Sequence, residues 1–234
     1  MKNAIYLVLL FGAIVWTVSS FTKDTMITDG SDTRNLDNFS IVSVSAGIQV
    51  TLVNSTSTKV ELETRNCEPE DVITKVEGDR LTIKFKKNKG GKRKVYATVY
   101  YKELEGLDAS SGSSIKTDNE IKSDEMDINA SSGASINLVI DCTELEVDLS
   151  SGSSVKIKGE CGVQDVDISS GASYQAIDLV SETADISASS GGSAKIHVTK
   201  ELKAEASSGG NITYKGDPQE TDIEKSISGS VKKM

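Results

Sequence analysis

Ser-Ser-Gly occurs six times in this chain, with the glycines at Gly112, Gly133, Gly152, Gly171, Gly191 and Gly209, in steps of 21, 19, 19, 20 and 18 residues. A weaker echo, Ser228-Gly229-Ser230, follows the last copy. Self-similarity at a period near 20 residues is the signature of stacked repeats. The residue after each glycine is Ser, Ala or Gly, and the next is Ser in five copies and Asn211 in the sixth. Small residues around one glycine suit a tight bend whose backbone takes a conformation that glycine adopts cheaply.

Apolar residues alternate on both sides of the bend. Leu145-Glu146-Val147-Asp148-Leu149 precedes one copy, and Val155-Lys156-Ile157 follows it. Period-two alternation over short runs predicts strands with one buried and one wet face. A single coil of this kind cannot bury its own apolar face. Stacking coils at the strand spacing of about 4.8 Å buries a continuous core and pairs the backbone between coils. The expected fold is all-β: a parallel β-helix, right-handed by the rule for parallel crossovers, with about 20 residues per coil. Ile115, Ile136, Val155, Tyr174, Ala194 and Ile212, each three residues after its glycine, should share one inward column. The serine columns should form ladders joined by hydroxyl hydrogen bonds, with a ligand surface as the alternative use.

The front of the chain is organised differently. Lys2 followed by an apolar run from Ala4 to Val18 reads as a signal peptide over residues 1–20, with cleavage before Phe21 and an uncleaved anchor as the alternative. The run is short for a membrane span. No integral span is expected after cleavage, which places the protein in the periplasm, on the outer-membrane surface or outside the cell. Residues 21–35 are polar and patternless, and read as a flexible linker. Residues 36–104 read as a less regular β section, with one helical turn between Cys67 and Val76. It forms either the first coils of the stack or a separate small sheet. Residues 105–232 are the Ser-Ser-Gly solenoid. The formal net charge is −9, which argues against a nucleic-acid partner.

Four segments carry a resemblance in their order and spacing. They are Leu36-Asp37-Asn38-Phe39, Val44-Ser45-Ala46-Gly47-Ile48-Gln49-Val50-Thr51-Leu52, Val76-Glu77-Gly78-Asp79-Arg80-Leu81-Thr82-Ile83 and Leu107-Asp108-Ala109-Ser110-Ser111-Gly112. Together they resemble the putative auto-transporter adhesin, head GIN domain family of bacterial envelope proteins, over residues 36–232. Gln49 stands where the family more often has Asn or Asp. The resemblance implies a β-helical extracytoplasmic protein and supplies no catalytic residues.

The chemistry on offer is sparse. The one histidine, His197, faces outward by alternation, with no Cys or Glu at metal spacing beside it. No triad pattern or nucleophile elbow surrounds any serine. No catalytic, metal-binding or cofactor-binding residue is assigned. Asp127, Glu146, Asp165 and Asp185 stand six residues before their glycines in the four middle copies, with Gly106 and Lys203 at the first and last, and Asp108, Asn129, Asp148, Asp167, Ser187 and Glu205 stand four before. Stacked like charges repel, so these columns are either a solvated face or carboxylates bridged by Ca²⁺. Lys84, Lys86, Lys87, Lys89, Lys92, Arg93 and Lys94 crowd a loop around Gly90-Gly91. A hairpin tip accounts for them, and contact of Lys86, Lys87, Lys89, Lys92, Arg93 and Lys94 with an anionic surface is the functional alternative. Cys142 and Cys161 each lie nine residues after a glycine and share a column on adjacent coils. They are expected as close neighbours able to form a disulfide in an oxidising compartment, or as two small hydrophobes, with Cys67 free. The expected function is that of a non-enzymatic, adhesin-like binding or scaffold protein for a glycan, an envelope surface or a protein ligand. The alternative is a glycan lyase or hydrolase working on the acidic face.

Overall fold

Alternation of apolar and polar residues sets the whole architecture. The computed structural model describes residues 29–87, 92–226 and 228–234. The expected signal peptide and the first part of the expected linker lie outside these residues. The strands are β1 (Asp29–Asn35), β2 (Ile41–Val44), β3 (Gln49–Asn54), β4 (Lys59–Arg65), β5 (Val72–Glu77), β6 (Arg80–Phe85), β7 (Lys94–Tyr101) and β8 (Gly106–Ala109). They continue as β9 (Ser114–Ala130), β10 (Ser135–Leu149), β11 (Ser154–Ile168), β12 (Ser173–Ala188), β13 (Ser193–Ala206), β14 (Asn211–Lys215), β15 (Glu220–Lys225) and β16 (Ser230–Lys233). The only helix among the described residues is a 3₁₀ turn, Pro69–Asp71.

From β9 to β14 every neighbour pair is parallel. Ile115, Ile136, Val155, Tyr174, Ala194 and Ile212 pair coil to coil, all are buried, and Val231 extends the column. The chain is therefore a β-solenoid with the register that the alternation predicts. Within β10 the buried and exposed residues alternate until Thr143 and Glu144, which are both exposed. That slip of phase turns the corner between two arms, because the inward face changes side. One arm follows each Ser-Ser-Gly bend and the other leads to the next.

The bend is tighter than a lone glycine implies. In Ser110-Ser111-Gly112-Ser113, Ser111 has φ 53° and Gly112 has φ 71°. The Ser113 amide donates to the Ser110 carbonyl at 3.1 Å. Two left-handed central residues closed by that bond make a type I′ turn. The second serine of every copy carries this conformation, which costs a non-glycine residue roughly 1–2 kcal/mol. Stacking offsets that cost, since each glycine amide reaches the next coil: Gly112 N donates to Ser132 O at 3.0 Å and Gly152 N to Ser170 O at 3.1 Å. The expected hydroxyl ladders are not found among the described residues. Buried Ser113 and Ser153 donate instead to the Val44 and Ala130 carbonyls. The weak echo is out of phase as well. Ser230 pairs with Asn211, so Gly229 sits in the place of Gly210 rather than of Gly209.

The front strands belong to the same stack. β2 pairs with β8, and β3 with β9. Ala46 and Gly47 repeat the left-handed pair with φ 63° and 74°, and Gly47 N donates to Ser111 O at 3.0 Å. Ala46-Gly47 is thus a first bend without the Ser-Ser-Gly motif. Part of the expected linker is also ordered: residues 29–35 form β1, antiparallel to β4. Arg34 fixes it, donating to the Pro69 and Val72 carbonyls at 2.7 and 2.8 Å and to Thr74 Oγ1 at 2.8 Å. One apolar core runs from Phe39 to Val231.

A buried polar chain crosses this core. Tyr174 Oη donates to Gln164 Oε1 at 3.1 Å, Gln164 Nε2 donates to Ser181 Oγ at 2.7 Å, and Ser181 Oγ donates to the His197 carbonyl at 3.1 Å. Every buried polar group in it has a partner, which is what makes such a network tolerable.

Candidate functional site

In-register stacking converts each outward sequence position into a column. On the arm that leads into the bend, Asp127, Glu146, Asp165 and Asp185 stack in one column, and Asp108, Asn129, Asp148 and Asp167 in the next. The second column and the first serine of each bend line an open groove of about 520 Å³ that runs across the strands from Asp108 to Ser189.

The acidic arm is compensated at its ends and bare in its middle. Asp108 is ion-paired with Arg80, and Lys203 holds Asp185 at 2.7 Å. Asn129 Nδ2 donates to Asp127 Oδ1 at 2.9 Å. Between these, carboxyls crowd one another. The Asp127 charge pushes the Glu146 carboxyl up from its ordinary value, helped by burial and by Asp148 and Asp165. Burial raises the Asp148 carboxyl, and Asp167 adds to it. Burial likewise raises Asp165, with Asp185 second. Groups held in this way favour partners that donate hydrogen bonds. Among the described residues, no three His, Cys, Asp or Glu side chains converge in a manner that could hold a metal ion.

The other residues singled out from the sequence lie apart from the groove. The basic loop is not a hairpin tip. It joins β6, which pairs with β2 and β5, to β7, which pairs with β3 and β4, so it crosses between two arms of the stack. Its residues 88–91, with Lys89, lie outside the described residues. Arg93 lies over the Phe85 ring, 3.9 Å from the centroid, and donates to the Lys87 carbonyl at 3.2 Å. Lys84, Lys86, Lys87, Lys92 and Lys94 form no ion pair with a described residue.

Cys142 and Cys161 are register partners at the far corner, buried and free in this structure, as is Cys67. The Cys161 thiol is pushed up by its hydrogen bond with Cys142 and by burial, and the same bond lowers Cys142. His197 is half-buried, and its imidazole is held below its ordinary value by burial first and by Lys215 second. It has no part in the groove.

These side chains form surfaces rather than a closed pocket, and the architecture has known counterparts. Residues 38–218 match the model of the family described as putative auto-transporter adhesin, head GIN domain. The chain belongs to this family. No curated protein matches it. The crystal structure of a putative adhesin from Bacteroides fragilis shares the fold, with a TM-score of 0.80 at 18% identity over 88% of this chain and 97% of that one. A putative adhesin from Parabacteroides distasonis gives 0.71 at 21% over 88% and 97%. A putative lipid binding protein from the same species gives 0.65 at 20% over 88% and 96%. Among the described residues, no helix is long and apolar enough to cross a membrane.

Proposed function

We propose that this adhesin-family chain is an extracytoplasmic, non-enzymatic binding and scaffold protein that presents ladders of outward side chains to a repetitive ligand, a glycan or an envelope surface. One observation carries the reading. The coils stack in register, so Asp148, Asp167 and their neighbours recur at the strand spacing of about 4.8 Å. A translational row of similar groups suits a polymer or a textured surface. An enzyme site needs groups whose environments set them to different tasks. The family description supports the extracytoplasmic placement, and so does the apolar leader read in the sequence.

The raised Glu146, Asp148 and Asp165 carboxyls favour one second reading, a glycan lyase or hydrolase working on the acidic face. Glycan-array binding with reducing-sugar release measured in parallel separates the two. Retained glycans without new reducing ends support the binder. Turnover that Glu146→Gln or Asp165→Asn removes would replace it with the enzyme.

A further inference from the structure

The arm that follows each bend is unlike the acidic arm. Its second outward column reads Lys116, Asn137, Lys156, Gln175, Lys195, Thr213 and Lys232, each paired in register with the next. Lysine occupies every other coil, and a neutral amide or hydroxyl fills each coil between. From Ser114 to Ser230 the first outward column beside it is Ser on every coil but the one that carries Asn211. Neither column holds an acid, in a chain of net charge −9.

These lysines are also unmatched. Four other outward lysines of the solenoid find an acid one coil away, Lys122 with Asp141 at 3.0 Å, Lys158 with Asp178 at 3.4 Å, Lys200 with Glu182 at 2.5 Å and Lys203 with Asp185 at 2.7 Å, while Lys215 and Lys225 form no ion pair with a described residue. Lys116, Lys156, Lys195 and Lys232 form no ion pair and no side-chain hydrogen bond with a described residue. Lysine is not alternated merely to avoid self-repulsion on this scaffold, because the acidic arm stacks Asp127, Glu146, Asp165 and Asp185 on successive coils.

From this pattern we infer that the face is a binding surface for a linear anionic glycan bearing one carboxylate or sulfate on every second sugar. The inference rests on the binding reading above and names the ligand class and the face. An extended pyranose chain advances per sugar by a length comparable to one strand spacing, which is about 4.8 Å. Laid along the stack, across the strands, such a chain places one sugar over each coil. Its charged sugars then meet Lys116, Lys156, Lys195 and Lys232, about 9.6 Å apart. The neutral sugars meet Asn137, Gln175 and Thr213, which donate to and accept from hydroxyls and acetamido groups. The neighbouring serine column offers further hydroxyl contacts. The acidic arm repels the same polymer, so it is confined to this face.

The test measures binding of the purified chain to three polymers. One alternates glucuronic acid with N-acetylglucosamine, one is polygalacturonate, charged on every sugar, and one is a neutral β-1,4-glucan oligomer. The alternating polymer should bind tightest, and its binding should weaken with salt. The Lys116→Gln, Lys156→Gln, Lys195→Gln triple variant should lose about tenfold in affinity with an unchanged melting temperature, since all three side chains are exposed. Asn137→Lys with Gln175→Lys fills the alternate coils and should turn the preference toward polygalacturonate. Binding that survives the triple variant, or equal affinity of the unaltered chain for both anionic polymers, overturns the inference but leaves the binding reading standing. Lysine-dependent binding to anionic vesicles with none to glycans also overturns it, by assigning the face to a membrane. Failure to bind any glycan or surface removes the broader reading along with it.

Discussion

Gly159 and Gly152 should respond to alanine in opposite degrees to what the repeat alignment suggests. Gly152 is shared by every Ser-Ser-Gly copy, whereas Gly159 pairs with Ile140 on one side and Leu179 on the other. By alignment, Gly159 looks replaceable and Gly152 does not. The backbone says otherwise. At Gly152 φ is 69°, and nothing lies within 4 Å of an added Cβ. Only the left-handed conformation is taxed there, by roughly 1–2 kcal/mol. For a domain of this size that lowers the melting temperature by about 2–8 °C. At Gly159 φ is 118°, and an added Cβ would lie 1.9 Å from the Ile140 carbonyl oxygen and 3.0 Å from its carbon. A backbone atom of the adjacent coil cannot swing aside as a side chain can, so the pairing must open. The expected cost exceeds about 3 kcal/mol, the class of change that strains a special backbone position inside a core. Thermal melts followed by far-UV circular dichroism compare Gly152→Ala with Gly159→Ala. A Gly159→Ala melt equal to or above that of Gly152→Ala would refute the argument, since the clash would then not exist.

Other outcomes follow from the same geometry. Val155→Asp buries an unpaired charge at a fully enclosed position and should cost about 3 kcal/mol or more, while Lys156→Asp next to it changes little; equal urea midpoints for the two would reject the inward register. Asp148 and Asp165 hold their protons more tightly folded than unfolded, so the stability tied to them is fully present below the ordinary carboxylate range near pH 4 and is lost as pH rises through their raised values. Asp148→Asn with Asp165→Asn should therefore stabilise the chain at neutral pH but not near pH 4, and an equal gain at both would sink that account. If the basic loop contacts anionic surfaces, the chain should bind anionic vesicles at low salt, and Lys86→Gln, Lys87→Gln, Lys92→Gln with Arg93→Gln should abolish it; co-sedimentation decides. Cys142 and Cys161 should bridge on mild oxidation, closing a loop of about 19 residues worth roughly 3 kcal/mol; peptide mapping that finds both thiols free, or either joined to Cys67, defeats the pairing.

The solenoid was legible because translational repeats betray themselves locally. Ile136, Val155 and Tyr174 could be assigned inward from spacing and alternation alone, and the structure puts them there. What escaped was set by neighbours on other coils. Ala46-Gly47 makes the first bend, but its one signal is a small residue before a glycine, which many loops share. β1 exists because it pairs with β4 and Arg34 reaches carbonyls near residue 70, long-range bonds that no local pattern announces. Gln164 interrupts an apolar column, and only Tyr174 and Ser181, brought close by stacking, explain why it is buried. The basic loop looked like a hairpin because its flanking strands are adjacent in sequence. Those two strands do not pair with each other: β6 pairs with β2 and β5, and β7 with β3 and β4. For the acidic groove, both columns were visible in the sequence. The serine wall that makes the second of them concave depends on the left-handed turn.

Stacking also explains why outward chemistry here takes the form of faces. In a globular enzyme, distant segments bring unlike groups to one point. In a solenoid each outward column inherits one position of the repeat, so unlike chemistries are sorted onto different arms and run parallel to one another. This chain sorts its charge in that way. Asp127 through Asp185 occupy the arm before the bend, and Lys116 through Lys232 the arm after it. Insertions in the repeat are absorbed where pairing already shifts, between Lys156 and Lys158 or between Ala176 and Val180. The columns nearest the bend therefore stay in step while the far corner drifts. A ligand that reads spacing along the stack is best served by those bend-proximal columns, and both the acidic groove and the alternating lysine column lie there.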